Sequence, residues 1–505
     1  MQRRNFLQLA MSMAATRVVP VAFGVTALAN KAFAANPIYS NVNVTAPAVM
    51  PQVINIFMYG GASELAGNIS NIADINLNSV NDYSANNAFG AGILQTVADD
   101  PVNGQITLNG CWKDAGGAHM EDMLASGDMT LYRTLYKQKN PTRSHRDSIF
   151  MSQKGTTDIE GAPGIGSRLA LMLKQNESAY ASARFADDTT VAGEGGIEAL
   201  TLPFVSFEGE SQTFALDPLQ SIPLQLRGLT MDQNLNNPFT RGGQGSSEDA
   251  IQSMVQDRLA ILQANRAKYS KAMDGFEKRE EMEGRMADLQ GVLNGTDDNG
   301  NQSSADLLGV TYPNTSFGRQ LESAITLAIH NPQTLYVAVG TPGLGGWDDH
   351  NNGIDQYRNR MDDLMDAIKS GVAHINAAGA QGVTTISNTA RTQTDNIIIN
   401  VFGDFGRLVN LNNSGGWDHA NNQNLYTFGG AGVRPTKEKA AMGTVVGQTF
   451  RDGTSKTNNQ YTVPDIAGGS PTFEPMSVAA SIYGYFGATN PGVLTSNDIR
   501  LEDGL

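Results

Sequence analysis

The chain has 505 residues, a formal charge of −15 and a pI near 4.8, and its 40% hydrophobic content is that of a globular protein. That length suffices for one large domain or two ordinary ones. The acidic balance repels phosphate backbones and excludes nucleic acid as a partner. Cys111 is the only cysteine, so no intrachain disulfide forms.

Residues 1–34 read as an export signal. Arg3-Arg4-Asn5-Phe6-Leu7 is a twin-arginine pattern, an apolar stretch follows, and Ala32-Phe33-Ala34 offers a small-residue cleavage site. Arg17 and Pro20 interrupt the stretch, which makes it a poor membrane span, and no later segment is long and apolar enough to be one. The segment carries four basic residues (Arg3, Arg4, Arg17, Lys31) and no acid, so its removal takes the charge from −15 to −19. The expected partner is the twin-arginine export machinery, and the expected location is periplasmic or secreted. Such export moves folded protein, which agrees with the absence of disulfides.

In chain order, a polar lead (35–50) precedes a buried strand, Val53–Tyr59, running into Gly60-Gly61. Residues 66–110 are Asn-rich and loop-like. Met129–Tyr136 is a second strand. Ser144–Lys154 is a short helix that Thr142 or Ser144 caps. Leu200–Phe207 is a strand candidate, and 208–245 is loop-rich. Residues 247–293 hold a long helical stretch with apolar residues at helical spacing, read as an insertion into a single domain spanning 35–505. Phe317–His330 and Ile354–Ala378 are helical and flank a strand, Thr334–Val339. Residues 380–394 read as a surface excursion, Asn396–Phe402 as a buried strand, and Met476–Phe486 as a helix. Strands alternating with helices indicate an α/β fold: a three-layer α/β/α sandwich with a largely parallel central sheet. Three of the strands end in Gly/Asp-rich turns, and ligands in such sheets bind beyond the carboxyl ends of the strands.

Two blocks are near-copies: Gly345-Gly346-Trp347-Asp348-Asp349-His350 and Gly415-Gly416-Trp417-Asp418-His419. The chain has 3 Trp and 6 His, and these blocks take two of each, which sets them apart from chance turn formers. Carboxylate and imidazole are the usual ligands of divalent metals, and the glycines let the backbone come close to an ion. Two further blocks join them. One is Gly60-Gly61-Ala62-Ser63-Glu64, the other Pro141-Thr142-Arg143-Ser144-His145-Arg146-Asp147. Gly403-Asp404-Phe405-Gly406-Arg407 leads into the second Trp block. His330 and His374 fall in predicted helices as packed or surface residues, and His119 is an extra ligand candidate.

This order of blocks, from about 52 to 432, resembles the exported bacterial family called domain of unknown function 1501. That family carries Gly-Gly-x-Asp-Gly, Arg-Ser-His, Gly-Trp-Asp-Thr-His, Glu-Phe-Gly-Arg and Thr-Asp-His. It looks like a branch of the alkaline phosphatase and sulfatase superfamily. The resemblance implies an alkaline phosphatase-like sandwich, bound divalent metal (Zn, Mg, Mn or Ca) and a hydroxyl nucleophile at a helix start. It further implies Asp348 with His350 and Asp418 with His419 as ligand pairs, and Asp404 as a ligand or a ligand's partner. Ser144 becomes the nucleophile candidate with Thr142 the alternative, beside Arg143 as anion clamp and His145. Ser63 stands where the family has Asp, which leaves Glu64 as the replacement ligand. The implied function is a metal-dependent hydrolase of phosphate or sulfate esters, on a small-molecule or glycan substrate. The alternative is a non-catalytic binding or structural protein that keeps the fold.

Overall fold

The computed structural model describes residues 41–63, 92–93, 111–216, 222–235, parts of 253–264, 283–287, 303–341, 344, 346–408, 411–452, 460–464 and 466–505. The export signal, Glu64 and most of the 66–110 and 247–293 stretches lie outside these; the described positions within 253–264 and 283–287 are helical.

Eight strands form the central sheet: β1 (Gln52–Met58), β2 (Met129–Tyr136), β3 (Phe204–Ser206), β4 (Leu229–Thr230), β5 (Tyr336–Val339), β6 (Ile397–Gly403), β7 (Asn422–Gly429) and β8 (Val445–Val446). Their order is β8-β2-β7-β6-β1-β5-β3-β4. Every neighbouring pair is parallel except the two that β7 makes with β6 and β2. Parallel strands need cover on both faces, and β1 and β6 are buried at every position. Ile54, Ile56, Ile399 and Val401 face one apolar layer, which includes α1 (Ala118–Ala125), α4 (Ser316–His330) and α5 (Gly353–Gln381). Val53, Phe57, Ile398 and Phe402 face the other, built on α3 (Ile165–Gln175) and α6 (Pro475–Tyr485). The fold is therefore the expected three-layer α/β/α sandwich with a largely parallel sheet. Among the described residues no helix is long and apolar enough to cross a membrane.

Outside 247–293, the predicted strands and helices stand within a few residues of expectation. The lone antiparallel strand β7 was not predicted, because Asn422-Gln423-Asn424 opens it with polar residues; these are buried and hydrogen-bonded instead, Asn422 Nδ2 to Arg133 O at 2.8 Å and Gln423 to both the amide and the carbonyl of Gly403. Helices α1 and α3 were likewise missed. Residues 380–394 run over the surface as expected, mostly exposed or half-buried, with Thr385, Arg391 and Thr394 turned inward. Arg391 donates to Ala328 O, Ile329 O, Gln52 Oε1 and Asn396 Oδ1, so this side chain pins the segment to the amino end of the sheet.

His330 and His374 pack inside. Ser304 Oγ lies 2.8 Å from His330 Nε2 and 3.4 Å from His374 Nε2, Tyr312 OH lies 3.1 Å from His374 Nδ1, and His330 Nδ1 donates to Thr384 O at 2.8 Å. Burial holds both imidazoles below their usual range, His374 down to about 3. In the unfolded chain each takes a proton near pH 6.5. Their contribution to stability is thus complete above about pH 6.5 and is lost as the pH falls toward the folded value, at about 1.4 kcal/mol per pH unit per group. Denaturant unfolding between pH 7 and pH 5 is expected to show that loss. His374→Asn should flatten the slope by about one proton; an unchanged slope would contradict this account.

Candidate metal centre

One edge of the sheet gathers the blocks. The carboxyl ends of β1, β5 and β6 lie side by side there. β2 ends at the same edge and leads through 137–144 to α2 (His145–Lys154). Because β7 runs the other way, its amino end starts at this edge and places His419, just upstream, beside them. The two Trp blocks pair directly: Trp417 N donates to Asp349 O at 2.8 Å, Asn352 N to Ser414 O at 2.9 Å, and Asn351 bridges Gly415. Their indoles flank one ring, Tyr357 of α5, at 6.1 and 5.4 Å. Gly60, at φ 112°, allows the approach, since a Cβ there would stand 2.6 Å from Asp348 N.

Asp348 Oδ1 is the hub. It lies 3.4 Å from His145 Nε2, 3.1 Å from His350 Nε2 and 3.7 Å from His419 Nε2. The outer nitrogen of each ring is held by an oxygen. His145 Nδ1 meets Asp404 Oδ2 at 2.7 Å, His419 Nδ1 meets Arg143 O at 2.9 Å, and His350 Nδ1 faces Asp418 Oδ1 at 3.4 Å. A carbonyl or a carboxylate only accepts, so the two hydrogen bonds place protons on Nδ1 of His145 and of His419 and turn their Nε2 lone pairs toward Asp348, while Arg407 Nη1 donates to that of His350. His350 and His419 even bring their Nε2 atoms to 2.8 Å. Bare acceptors at that distance repel unless a cation or a proton joins them.

That arrangement fits a divalent metal. His145, Asp348 and His419 offer ligand atoms all within 4.8 Å of one another. A tetrahedral ion with bonds of about 2.0–2.2 Å sets its ligand atoms roughly 3.3–3.6 Å apart, close to the 3.4 and 3.7 Å between Asp348 and the two imidazoles. Imidazoles whose far nitrogen is held by a carboxylate or carbonyl are the usual form of such ligands.

Arg407 ties the segments together. Its guanidinium is fully buried. Nε donates to Gly61 O at 2.8 Å, Nη1 to Trp417 O at 2.9 Å and to His350 Nε2 at 3.2 Å, and Nη2 to Gly60 O and to Asp348 Oδ1. Burial pushes the Asp348 carboxyl up, but the hydrogen bond and charge of Arg407, with His145 and His350, outweigh it and hold the group below the usual range. The Asp404 hydrogen bond raises His145 against the opposing effect of burial. Burial lowers His419, helped by Arg407 and the other two histidines.

The remaining expected residues divide. Asp404 is wholly buried and accepts from Gly60 N at 3.1 Å, so it orients His145 from behind. Asp418 stands outside the three-ligand group: its side chain is exposed and turned to the outer nitrogen of His350 and to Asn412. Ser144 caps α2, its Oγ accepting from Asp147 N at 3.4 Å, and Thr142 Oγ1 accepts from Ser144 N at 3.2 Å. Arg143 is exposed, and its guanidinium has no partner among the described residues. Glu64 lies outside the described residues, and Ser63 is buried, its carbonyl accepting from Tyr357 OH. His119 faces Asp362 and Asp366 of α5 instead, at 3.6 and 3.9 Å. Two features escaped sequence reading: His145 sits among the ligand atoms, and Arg407 is the hub's partner. The Arg in the Gly-Asp-Phe-Gly-Arg block was the available signal.

Residues 51–470 match the profile of a family described as protein of unknown function (DUF1501). The chain belongs to that family. A search of curated proteins gives no match. Among solved structures it is similar to the phosphonate monoester hydrolase SpPMH from Silicibacter pomeroyi, at 11% identity and a TM-score of 0.29 over 75% of this chain and 72% of that one. Within this DUF1501 member, Asp404→Asn removes the charge that holds His145 up. In the metal-free protein the His145 imidazole is expected to titrate above 6.5 in the wild type and lower in the variant, read by NMR; equal values would separate Asp404 from His145.

Proposed function

We propose that the protein is an exported, metal-dependent hydrolase of phosphate or sulfate esters. The observation that carries this reading is the convergence of His145 Nε2, His419 Nε2 and Asp348 Oδ1, all within 4.8 Å, at the carboxyl edge of the sheet. A donor set of two nitrogens and one oxygen suits Zn²⁺ or Mn²⁺ better than Ca²⁺ or Mg²⁺, which take oxygen ligands. A divalent ion bound there would supply Lewis-acid charge to an ester oxygen. The chain supplies the rest. Arg143 offers a forked, permanently charged donor to the anionic ester oxygens. Ser144 stands between Arg143, whose carbonyl holds His419, and His145. Its hydroxyl is the nucleophile, and the amide of Asp147 at the start of α2 steadies the oxygen as negative charge develops. Thr142 is the alternative hydroxyl. The resemblance of the motifs to the alkaline phosphatase and sulfatase group supports the substrate class.

A second reading, a non-catalytic binding module, draws on Ser63. The family's first-strand aspartate is absent there, and the Ser63 carbonyl is used by Tyr357. Two measurements separate the readings. Metal-loaded protein should turn over aryl phosphate or aryl sulfate, and Ser144→Ala should abolish turnover while leaving bound metal nearly unchanged. Asp348→Asn should lose metal and turnover together, whereas Asp418→Asn should keep metal. Metal-loaded protein inert across a broad ester panel would leave the binding module standing.

Export is part of this proposal and rests on Arg3-Arg4 and Ala32–Ala34. Replacing both arginines by lysine should hold the precursor in the cytoplasm, scored by fractionation and the size of the mature band. Undiminished periplasmic yield would remove this part of the proposal.

A further inference from the structure

We propose that the hydrogen-bonded row Tyr312–His374–Ser304–His330 is an acid-released clasp: with both imidazoles neutral it fastens residues 303–315 to α4 and α5, and a proton on either imidazole lets that segment open while the sheet stays folded. The clasp is independent of the metal-binding reading above. α4 ends at His330 and β5 begins at Tyr336, so the clasp lies at the amino end of the sheet and the metal centre at the other.

The distances give every proton in the row one place. Thr384 O only accepts, so the nitrogen 2.8 Å from it, His330 Nδ1, carries the hydrogen, and the Nε2 of that neutral ring is a bare lone pair. Ser304 Oγ, 2.8 Å from that Nε2, therefore donates to it. A hydroxyl has a single hydrogen, so toward His374 Nε2 at 3.4 Å the same oxygen accepts, and His374 carries its hydrogen on Nε2. His374 Nδ1 is then the acceptor for Tyr312 OH at 3.1 Å. Every donor meets an acceptor, and all point the same way, from Tyr312 to Thr384.

Such a row has no opening for a further proton. His330 Nε2 and His374 Nδ1 each already receive a hydroxyl hydrogen. Protonating either sets N–H against O–H, and Ser304 or Tyr312 must turn its hydrogen away from the acceptor it has; for Ser304, which is buried, that leaves a donor without a partner. Burial disfavours a charge on either ring, Arg391 adds to this at His330, and His330 adds to it at His374, with no carboxylate to offset them. Glu322 of α4, itself close to Asp306, acts only on Tyr312 at the end of the row.

Little else holds the segment. Its one helical turn, Ser304–Leu307, is capped from within by Ser303 and Asp306. Ala305 is buried, but Leu307 is exposed and Leu308 and Tyr312 are only partly covered. Ser370 of α5 adds a hydrogen bond to Thr311 O at 3.0 Å, and Asn314 and Thr315 bond to the start of α4, where the segment hinges. A stretch with so few buried apolar contacts opens separately from the core.

Hydrogen exchange read by mass spectrometry tests the clasp on the mature full-length protein at pH 7 and pH 5, with the chemical exchange rate at each pH divided out. A freed imidazole takes its proton near pH 6.5 and the clasped His374 only at about 3, so His374 alone should raise the opening constant of 303–315 about 25-fold between the two conditions, with His330 adding to it. Peptides from β1 and β6 should keep their protection. Equal protection of 303–315 at both pH values, or an equal loss across β1 and β6, would overturn the clasp. His374→Asn removes one titrating ring and should cut the pH effect in 303–315 by about that factor; an undiminished effect would place the sensor elsewhere and overturn the assignment. Tyr312→Phe serves if that variant fails to fold. It keeps both rings and frees His374 Nδ1 to take a proton in the closed state. Residues 303–315 should then exchange faster at pH 7 and depend less on pH than in the wild type, and an unaltered pH dependence would overturn the proton row.

Discussion

The Arg407 guanidinium is the contact on which the rest of the site depends. Two residues after the end of β6 and its Asp404-Phe405 turn, it reaches the loop after β1 through Gly60 O and Gly61 O, the first Trp block through Asp348 and His350, and the second through Trp417 O. A buried charge is tolerated only when paired and fully hydrogen-bonded. Here the requirement acts as an assembly rule, because the donors are satisfied only when three loops from different parts of the chain stand in their places together. Removing one partner of such a pair costs about 3–5 kcal/mol, far more than any one surface contact in the same loops.

Around that cation the anions are arranged by depth. Asp404 is wholly buried, Asp348 half-exposed and Asp418 more exposed still. Each faces a different histidine or a different nitrogen, so the three rings are turned with their Nε2 atoms inward. Lys137 adds a further buried charge behind Phe405, 5.1 Å over its ring and donating to Ser148 Oγ at 2.6 Å. Burial pulls its ammonium down to about 8, with Asp404 acting against that fall. The Phe405 ring also lies against His145 and His419, at 4.7 and 4.4 Å. It separates the lysine from the ligand atoms and keeps that side of the site apolar.

The sheet fixes where this assembly can form. Its strands are apolar on both faces, a pattern that by itself leaves neighbouring registers similar in energy. A polar ladder breaks the degeneracy: Asn400 Nδ2 donates to Asn55 Oδ1 at 3.1 Å, Asn55 Nδ2 to Tyr336 OH at 2.9 Å, and Tyr336 OH meets Thr213 Oγ1 at 2.9 Å. A slip of β6 or β5 against β1 would strand these groups, at roughly 1–3 kcal/mol for each one left unpaired. It would also shift Gly60, Asp348 and Asp404 out of step with one another.

The sequence by itself determined the elements whose signal is local. Apolar runs at 53–59 and 396–402 read as buried strands, the spacing at 317–330 and 354–378 as helices, and the repeated Gly-Gly-Trp-Asp composition as one site in two pieces. Only the tertiary structure decided the rest. β7 opens with Asn-Gln-Asn, and those side chains become strand residues because β2 and Gly403 offer partners that lie far from them in sequence. Asp348 and Asp349 are adjacent and chemically alike, yet Arg360 of α5 takes Asp349 at 2.8 Å and leaves Asp348 for the histidines. His145 entered the ligand group, and Asp418 left it, through contacts across more than 250 and about 70 residues respectively. A side chain's identity states what it can bind. Which of its neighbours it meets is set by long-range backbone pairing and by the need to satisfy every buried charge, and neither is written in any local stretch of the chain.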